Sequence, residues 1–292
     1  METKQEISEF LTSRRGRITP EQAGLATYGN RRVPGLRREE VAVLAGVSVP
    51  YYTRLERGDM SGASEGVLEA LARALQLDDA ERAHLLDLAR ASHPATSTRR
   101  RRPAKQRPRP GVQWILDALT VPALVLNGRL DIVAGNQLGY ALYAPMFDGP
   151  ARPANTARFA FLDPRARDFY LDWEFAADQV VAILRSEAGR DPHDRNLQDL
   201  VGELSTQSNE FRTRWAAHNV RFHDTGVKHI HHPVVGELHL SFERMSLSAD
   251  TGLTVFAFAA EPGSTSEQAL NLLASWTATP DRPEATSATD RV

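Results

Sequence analysis

The chain has 292 residues and no cysteine, which excludes disulfide bonds, thiolate metal sites and cysteine nucleophiles. Its net charge of −2 is unevenly distributed, because residues 1–112 carry 20 Lys and Arg against 14 Asp and Glu, whereas the remainder carries 15 against 23. This asymmetry suggests that the N-terminal part meets a polyanion, and the length favours two domains.

Apolar residues recur at helical spacing in five stretches of the N-terminal part. The predicted helices cover residues 7–18, the two sides of Gly46 between residues 37 and 58, residues 65–77 and residues 78–89. A Gly- and Pro-rich loop is predicted between the first and second helices, over residues 19–36. Residues 1–91 are therefore predicted to form an all-α domain of five helices.

The second and third helices have the pattern of a helix-turn-helix. Gly46 supplies the positive φ angle of a sharp turn, Ser48 is a good N-cap, and Pro50 falls in the first turn of the next helix. In such a motif the second helix enters the major groove of DNA, so its outer face must be free of packing contacts. The sequence thus predicts a DNA-binding domain.

The candidate DNA contacts divide into two groups. Val49, Pro50, Tyr51 and Arg54 lie on the predicted outer face and are the candidates for contact with base edges. Ser48, Arg38 and Arg57 are the candidates for contact with backbone phosphates. Residues expected to pack the two helices together instead are Val41, Ala45, Val47, Tyr52 and Leu55.

The rest of the chain is predicted to form a linker, a second domain and a tail. Residues 92–111 include RRRRPAKQRPRP and are predicted to be a stiff, charged linker. Residues 112–276 combine a hairpin around Asn127-Gly128, helices over 165–217 and alternating strands after residue 220, which indicates an α+β sheet domain. The polar tail over residues 277–292 is predicted to be disordered.

Several separated motifs resemble a known family of regulators. VAVLAGVSVPYYTRLERG (41–58) is similar to lambda-repressor-like, or xenobiotic-response-element, DNA-binding domains, whose pattern ends in Leu-Glu-x-Gly. The chain resembles most closely the MmyB-like regulators, over about residues 5–275. The matching segments of the second half include VPALVL, FLDPRARDFYLDWE, LRSEAGRDP, LVGELSTQSNEFRTRW and HHPVVGELHLSFERM.

This resemblance implies a homodimeric transcription regulator that binds a double-stranded DNA operator. The charged N-terminus METKQEISEF lacks an apolar signal segment, so a cytoplasmic protein is expected. The resemblance also implies a PAS-like fold for the second domain and a small apolar ligand there, such as a fatty acid. The sequence departs from the family at two positions, because many lambda-repressor-like domains have glutamine where this chain has Arg38 and Val49. Since Val49 cannot make a bidentate contact with adenine, the operator sequence of the wider family is not carried over.

Candidate ligand-binding residues in the second domain are apolar side chains with a few polar ones that could orient a ligand. They are Trp114, Leu126, Asn136, Phe169, Trp173, Arg185, His218 and Phe242. For each apolar residue a plain core position is the alternative, and for Arg185 an ion pair with an acid on its own helix.

Other functions of the second domain are weaker alternatives. KHIHHP (228–233) is compatible with a metal site, but without cysteine or an HExxH motif we expect no metal and no other cofactor. No nucleophile elbow, phosphate loop or dinucleotide fingerprint occurs, so we expect no enzymatic activity. The remaining alternative is a second domain that serves only dimerisation or protein interaction. A membrane span is not expected, since no apolar run approaches about 20 residues.

Overall fold

A computed structural model describes residues 2–25, 33, 35–92, 107–149, 152–192, 194–217 and 225–278. Most of the predicted linker and nearly all of the predicted tail lie outside these residues. The last residues of the predicted linker are an exception, because a helix begins at Pro110. Buried apolar side chains form one core before the linker and two cores after it.

The described residues of the N-terminal part form five helices, as predicted. They are α1 (Glu2–Arg17), α2 (Arg38–Leu44), α3 (Val49–Glu56), α4 (Glu65–Ala74) and α5 (Asp79–Ala91). One face of each helix contributes to a single core in which Phe10, Tyr52 and Leu71 are fully buried. α1 begins earlier than the apolar pattern predicts, because its first turn carries polar residues rather than core residues.

The helix boundaries follow from local sequence signals. Ser48, Ser64 and Asp78 are N-caps whose side chains accept hydrogen bonds from the backbone N–H of the third following residue. Gly46 has a φ of +66°, as the turn between α2 and α3 requires. The helix-turn-helix prediction is confirmed in these elements.

The second domain contains one sheet of five strands. They are β1 (Ala123–Asn127), β2 (Ile132–Gly135), β3 (Thr225–His232), β4 (Gly236–Ser246) and β5 (Leu253–Ala260). The spatial order is β2-β1-β5-β4-β3, and every neighbouring pair is antiparallel. The predicted α+β class is thereby confirmed.

Eight helices accompany this sheet within the described residues. They are α6 (Pro110–Ala118), α7 (Gln137–Leu142), α8 (Thr156–Leu162), α9 (Ala166–Phe169), α10 (Trp173–Arg190), α11 (Arg195–Gln207), α12 (Asn209–Ala216) and α13 (Thr265–Ala278). None of the helices in the described ranges is long and apolar enough to cross a membrane.

The helices lie on two sides of the sheet. α6 packs on one face, here called the outer face, through Val112 and Leu116, which meet Val125 and Val255. The large core lies on the inner face, where residues of α7–α13 pack against β1, β3, β4 and β5. On β3 and β4 the inner positions alternate with exposed ones, which is the period of two expected for a half-buried strand.

The turn between β1 and β2 differs from the predicted two-residue hairpin. Four residues, 128–131, connect the strands, and Leu130 has a φ of +65°. The Asn127 side chain accepts hydrogen bonds from the backbone N–H groups of Arg129 and Asp131, both at 3.0 Å. The Asn-Gly pair was therefore a correct signal for a turn, but the asparagine side chain stabilises a longer one.

Candidate DNA-binding surface and ligand cavity

The α3 helix has one exposed face and one packed face. Ser48, Val49, Pro50 and Arg54 are exposed, and Tyr51 is half-buried. The opposite side of the motif is closed by side chains in the helical core, namely Val41, Ala45, Val47, Tyr52 and Leu55. Ser48, Val49, Pro50 and Arg54 thus lie on one exposed surface, whereas Tyr51 also packs in part against the helical core.

Two arginines flank this surface in different ways. The Arg54 guanidinium lies over the Tyr51 ring, 4.9 Å from its centroid, and Nη2 donates to the carbonyl oxygen of Ser61 at 3.3 Å. These contacts restrict its orientation. Arg57 is exposed at the end of α3 and has no ion-pair partner in the described part of the chain. Within the described residues Arg57 thus has no ion pair to hold it, whereas Arg54 is held beside the exposed residues of α3.

Glu56 is the centre of a buried ionic cluster that sequence reasoning missed. Only 1% of the residue is exposed, and its carboxylate accepts from Arg15 Nε at 2.6 Å, from Arg38 Nε and from the Tyr52 hydroxyl at 3.4 Å. Hydrogen bonding to Glu56 raises the pKa of Arg38, and burial together with this carboxylate raises the pKa of Tyr52. The cluster joins α1, α2 and α3.

This cluster changes the interpretation of Arg38. Sequence reasoning treated Arg38 as a phosphate contact, whereas its Nε is committed to Glu56 and about half of its side chain remains exposed. The residue therefore fixes α2 against α3, and only its outer guanidinium nitrogens are available to DNA. The signal in the sequence was the glutamate of the Leu-Glu-Arg-Gly motif, which occupies a buried helix position.

Gly58 ends the motif where two backbones approach closely. It has a φ of +86°, and a Cβ built at this position would lie 2.1 Å from the carbonyl oxygen of Lys4 on α1. An alanine would be excluded on both grounds. The glycine thus allows the end of α3 to rest directly on α1.

A small cavity lies between the sheet and α10 in the second domain. Its volume is about 50 Å³. Its apolar lining includes Leu124 and Leu126 of β1, Phe256 and Phe258 of β5, and Val180 of α10. Of the predicted ligand-binding residues in the described ranges, Leu126 lines this cavity.

Five polar residues that sequence reasoning missed also line it, namely Tyr143, Thr156, Tyr170, Gln179 and Lys228. Tyr143 and Tyr170 are buried, and Lys228 occupies an inner position on β3, two residues before Ile230. The available signal was the alternation of this strand, which places the lysine on the same face as the buried Ile230.

Two predicted ligand-binding residues lie elsewhere than the cavity, and a third is not among the described residues. Trp114 is 73% exposed on α6, on the outer side of the sheet, so it cannot line an inner cavity. The Asn136 side chain caps α7 and bridges three backbone segments, accepting from Ala123 and Gly139 and donating to Val121. His218 lies outside the described residues.

Three aromatic candidates are core residues around the cavity. Phe169 packs against Tyr143 and Phe159, with ring centroids 5.7 and 5.5 Å apart. Trp173 donates from Nε1 to the carbonyl oxygen of Ala160 at 2.9 Å. Phe242 lies on the inner face of β4, and its ring centroid is 5.4 Å from Lys228 Nζ. Phe242 is thus the one of the three that contacts a cavity-lining cation.

Arg185 joins the two domains rather than facing the cavity. It is fully buried on α10, where it pairs with Glu6 of α1, donates to the Trp215 carbonyl oxygen and stacks 4.2 Å from the Trp215 ring centroid. Burial lowers the pKa of Arg185 and raises that of Glu6, and the ion pair opposes both shifts. The expected ion pair exists, but its acid belongs to the DNA-binding domain and not to the same helix.

The same helix packs against α5 at its far end. A Cβ at Gly189 would lie 2.6 Å from the His84 ring, so this glycine lets α10 approach α5 closely. A groove of about 310 Å³ runs beside this contact, lined by Leu88 and Trp215 among others. Two carboxylates of the groove are already paired, Glu6 with Arg185 and Asp194 with Arg129. α10 therefore touches both the cavity and the DNA-binding domain.

The histidines of β3 and β4 divide between two environments. His229, His231 and His239 are exposed, and the rings of His229 and His239 lie 4.3 Å apart. His232 is buried, with Nε2 3.0 Å from the Ala141 carbonyl oxygen and Nδ1 accepting from the Val234 N–H at 3.2 Å. No group of three metal-ligating side chains occurs among the described residues.

Two family models match the chain over ranges that correspond to the two parts of the structure. A model described as the MmyB-like transcription regulator ligand binding domain matches residues 108–273, which is more than half of the chain. A model described as a helix-turn-helix domain matches residues 6–85. No curated protein matches the chain.

Proposed function

Since the chain belongs to the family of MmyB-like transcription regulators, we propose that it binds a palindromic operator as a homodimer and responds to a small apolar ligand such as a fatty acid. A helix-turn-helix domain and a ligand-binding domain are those of a ligand-responsive transcription regulator rather than an enzyme. The dimer, the operator, the fatty acid and the cytoplasmic location are parts of this proposal.

The exposed face of α3 is the observation that supports DNA binding in this proposal. Arg54 is assigned to a guanine edge, and Val49 and Pro50 to thymine methyl groups. Ser48 and Arg57 contact phosphates, assisted by the outer nitrogens of Arg38. In a dimer the centres of the two half-sites lie about 10 bp or a multiple apart, because both α3 helices must enter the groove from one side of the duplex.

The inner cavity is assigned to the ligand. The sheet order β2-β1-β5-β4-β3 with helices over its inner face supports the PAS-like interpretation. The cavity of about 50 Å³ is smaller than the roughly 300–1,000 Å³ of small-molecule sites. Binding a fatty acid therefore requires the layer of α10 to move away from the sheet, and the ligand selects this wider conformation.

Movement of α10 provides a physical route between the two sites. Its inner side lines the cavity through Gln179, Val180 and Ile183, while Arg185 and Gly189 contact α1 and α5. A ligand that shifts α10 changes these contacts and hence the placement of the DNA-binding domain. Coupling of this kind is typically about 1–3 kcal/mol, or roughly 5–150-fold in operator affinity.

The proposal is tested by selecting operators from random duplexes on the purified full-length protein. Anisotropy titration of the selected duplex, with and without a mixture of C14–C18 fatty acids, then measures ligand response. We expect a palindrome and a shift in affinity. Failure to enrich any duplex would contradict DNA recognition, whereas a palindrome without a shift would favour a second domain that serves only dimerisation.

Single-residue variants separate the assigned roles of the two arginines. Arg57→Ala should weaken binding evenly across sequences and reduce the dependence on salt concentration, because one phosphate contact is lost. Arg54→Ala should cost about 1–3 kcal/mol and relax base preference at one position of the half-site. An unchanged salt slope in Arg57→Ala would contradict its phosphate role.

A further inference from the structure

A polar pocket lies beside the inner cavity of the ligand-binding domain. Its volume is about 380 Å³, and it is bounded by the C-terminal half of α10, the turn between β1 and β2, and the β4–β5 hairpin. Its walls include Ser186 and Arg190 of α10, and Ser246 and Thr254 at the base of the hairpin. Since Arg190 and Ser246 are exposed, this polar pocket is in contact with solvent.

Three apolar residues line both the polar pocket and the inner cavity, namely Leu130, Ile183 and Phe256. The two spaces therefore adjoin at these side chains. The polar pocket is within the range of roughly 300–1,000 Å³ that small-molecule sites occupy, whereas the inner cavity is not. A molecule that is too large for the closed cavity can thus be accommodated first in the polar pocket.

The three shared residues differ in how firmly they are held. Leu130 is fixed in its turn, because its backbone N–H and carbonyl oxygen both make hydrogen bonds, of 2.9 and 3.0 Å. Phe256 lies in β5, which is paired with β1 on one side and β4 on the other. Ile183 is half-buried and belongs to α10, which is not part of the sheet. A shift of α10 would therefore open the boundary at Ile183 without breaking strand pairing.

Another side of the inner cavity is closed by packed aromatic rings. The Tyr143 ring centroid lies 5.7 Å from that of Phe169 and 5.4 Å from that of Phe258, and the rings of Phe169 and Tyr170 are 5.0 Å apart. All four residues are buried. Opening on this side would separate several aromatic contacts at once, whereas opening at Ile183 displaces one aliphatic side chain.

We propose that the polar pocket is the entrance through which a ligand reaches the inner cavity, and that Ile183 is the gate between them. This role rests on the proposed function of the cavity as the ligand site, and it adds the route of exchange. An obstruction in an entrance touches neither the free nor the bound state. It therefore raises the barriers to entry and exit equally, so that both rate constants fall and the dissociation constant stays the same.

The entrance is tested by blocking it reversibly in the full-length protein. Because the chain has no cysteine, Ser186→Cys places a unique thiol in the wall of the polar pocket but outside the lining of the inner cavity. The thiol is modified with benzyl methanethiosulfonate, and binding of the uncharged fluorescent probe N-phenyl-1-naphthylamine is followed by stopped-flow fluorescence. Modification should lower the association and dissociation rate constants by the same factor, on the order of tenfold, and leave Kd within about twofold.

Two comparisons separate a blocked entrance from damage to the protein. Dithiothreitol removes the benzylthio group and should restore both rate constants in the same sample. Ser205→Cys is the matched control, because Ser205 is a half-buried serine on α11 that lines neither space, and its modification should change neither rate constant.

A shorter side chain at the gate should have the opposite effect on the rates. Ile183→Ala should raise the association rate constant by roughly two- to tenfold, because less of the boundary has to move. A residue that only contributes contacts to bound ligand would raise the dissociation rate constant alone when it is shortened. An unchanged association rate constant would therefore overturn the role of Ile183 as the gate.

Unchanged rate constants in modified Ser186→Cys would overturn the entrance, because the probe would then reach the cavity by another route. A weaker Kd at an unchanged association rate constant would overturn it as well, because the polar pocket would then hold the bound probe. Both results leave the proposed ligand site in place. Failure of wild type to bind the probe would overturn the entrance and the cavity-based ligand site together, whereas the operator selection is independent of all these results.

Discussion

Glu56 in the DNA-binding domain and Lys228 in the ligand-binding domain are both charged groups that meet the protein interior, and their surroundings differ. Glu56 accepts hydrogen bonds from two arginines and a tyrosine on three helices. Lys228 has aromatic rings around it and a cavity beside it. The first domain satisfies its buried charge internally and thereby fixes the surface of α3. The second domain holds its charge beside two aromatic rings, and Lys228 has no ion pair within the described residues.

Removal of the Glu56 carboxylate should have the largest effect, and it tests whether the DNA-binding domain depends on this buried charge. Glu56→Ala should lower the free energy of unfolding of the N-terminal domain by about 3–5 kcal/mol, because Arg15 and Arg38 lose their buried partner. Urea unfolding followed by hydrogen exchange of peptides from α1–α3 measures this. In the control Glu69→Ala, which breaks the exposed pair with Arg82, the loss should be much smaller, because water screens that pair. Equal losses would mean that burial of Glu56 has no energetic consequence.

A comparison of Gly58 with Gly62 tests how closely the end of α3 is packed in the DNA-binding domain. Gly62 also has a positive φ, of +75°, but no atom lies within 4 Å of an added Cβ. Gly62→Ala should therefore lower stability by about 1–2 kcal/mol, for the backbone angle alone. Gly58→Ala should lower it further, because its Cβ would overlap the Lys4 carbonyl. The difference between the two unfolding free energies measures that overlap, and a difference near zero would show that α1 moves away without loss.

Replacement of Lys228 should raise the free energy of unfolding, whereas replacement of Glu56 should lower it. Lys228→Met should raise the free energy of unfolding of the second domain by about 1–2 kcal/mol at pH 7, because an uncompensated cation becomes an apolar side chain of similar length. All four tryptophans lie in this domain, so urea unfolding monitored by tryptophan fluorescence reports on it selectively. A loss of stability would mean that the lysine supports the fold as Glu56 does, and the comparison would fail.

The last prediction concerns the dependence of stability on pH. Since the pKa of Lys228 is about 8 in the folded protein and has the ordinary value of 10.5 in the unfolded chain, the unfolded chain binds more protons between these values. The free energy of unfolding of wild type, relative to Lys228→Met, should therefore rise from pH 8 to pH 10. Above pH 10 the raised pKa values of the buried tyrosines act in the opposite direction in both proteins. If the free energies of unfolding of wild type and Lys228→Met differ by a constant amount from pH 8 to pH 10, the lowered pKa of Lys228 is contradicted.

The DNA-binding domain was largely predictable because its signals are local. Gly46, Ser48 and Pro50 act through the backbone within a few residues of themselves, so the turn and the start of α3 follow from the sequence. Exposure of Val49 and Arg54 follows from helical periodicity once the packed face is assigned. What local signals could not provide was the arrangement around Glu56, which depends on the position of α1 relative to α2.

The ligand-binding domain was predictable in its strands and class, but less so in its site. The partner of Arg185 is Glu6, 179 residues away, and no local pattern specifies it. Trp114 is an aromatic residue of the kind that often lines pockets, yet its helix α6 lies on the opposite side of the sheet from the cavity. Only the strand order determines that side. Lys228 could have been found from strand alternation alone, because period two places it beside Ile230.

The division of α3 into a packed and an exposed side has a consequence for how such regulators diversify. Exchange of Val49, Pro50 and Arg54 should leave Tyr52, Leu55 and Glu56 in place, because the first three are exposed and the other three are buried. New operator preferences can therefore arise through viable single-substitution intermediates, with no compensating change in the scaffold.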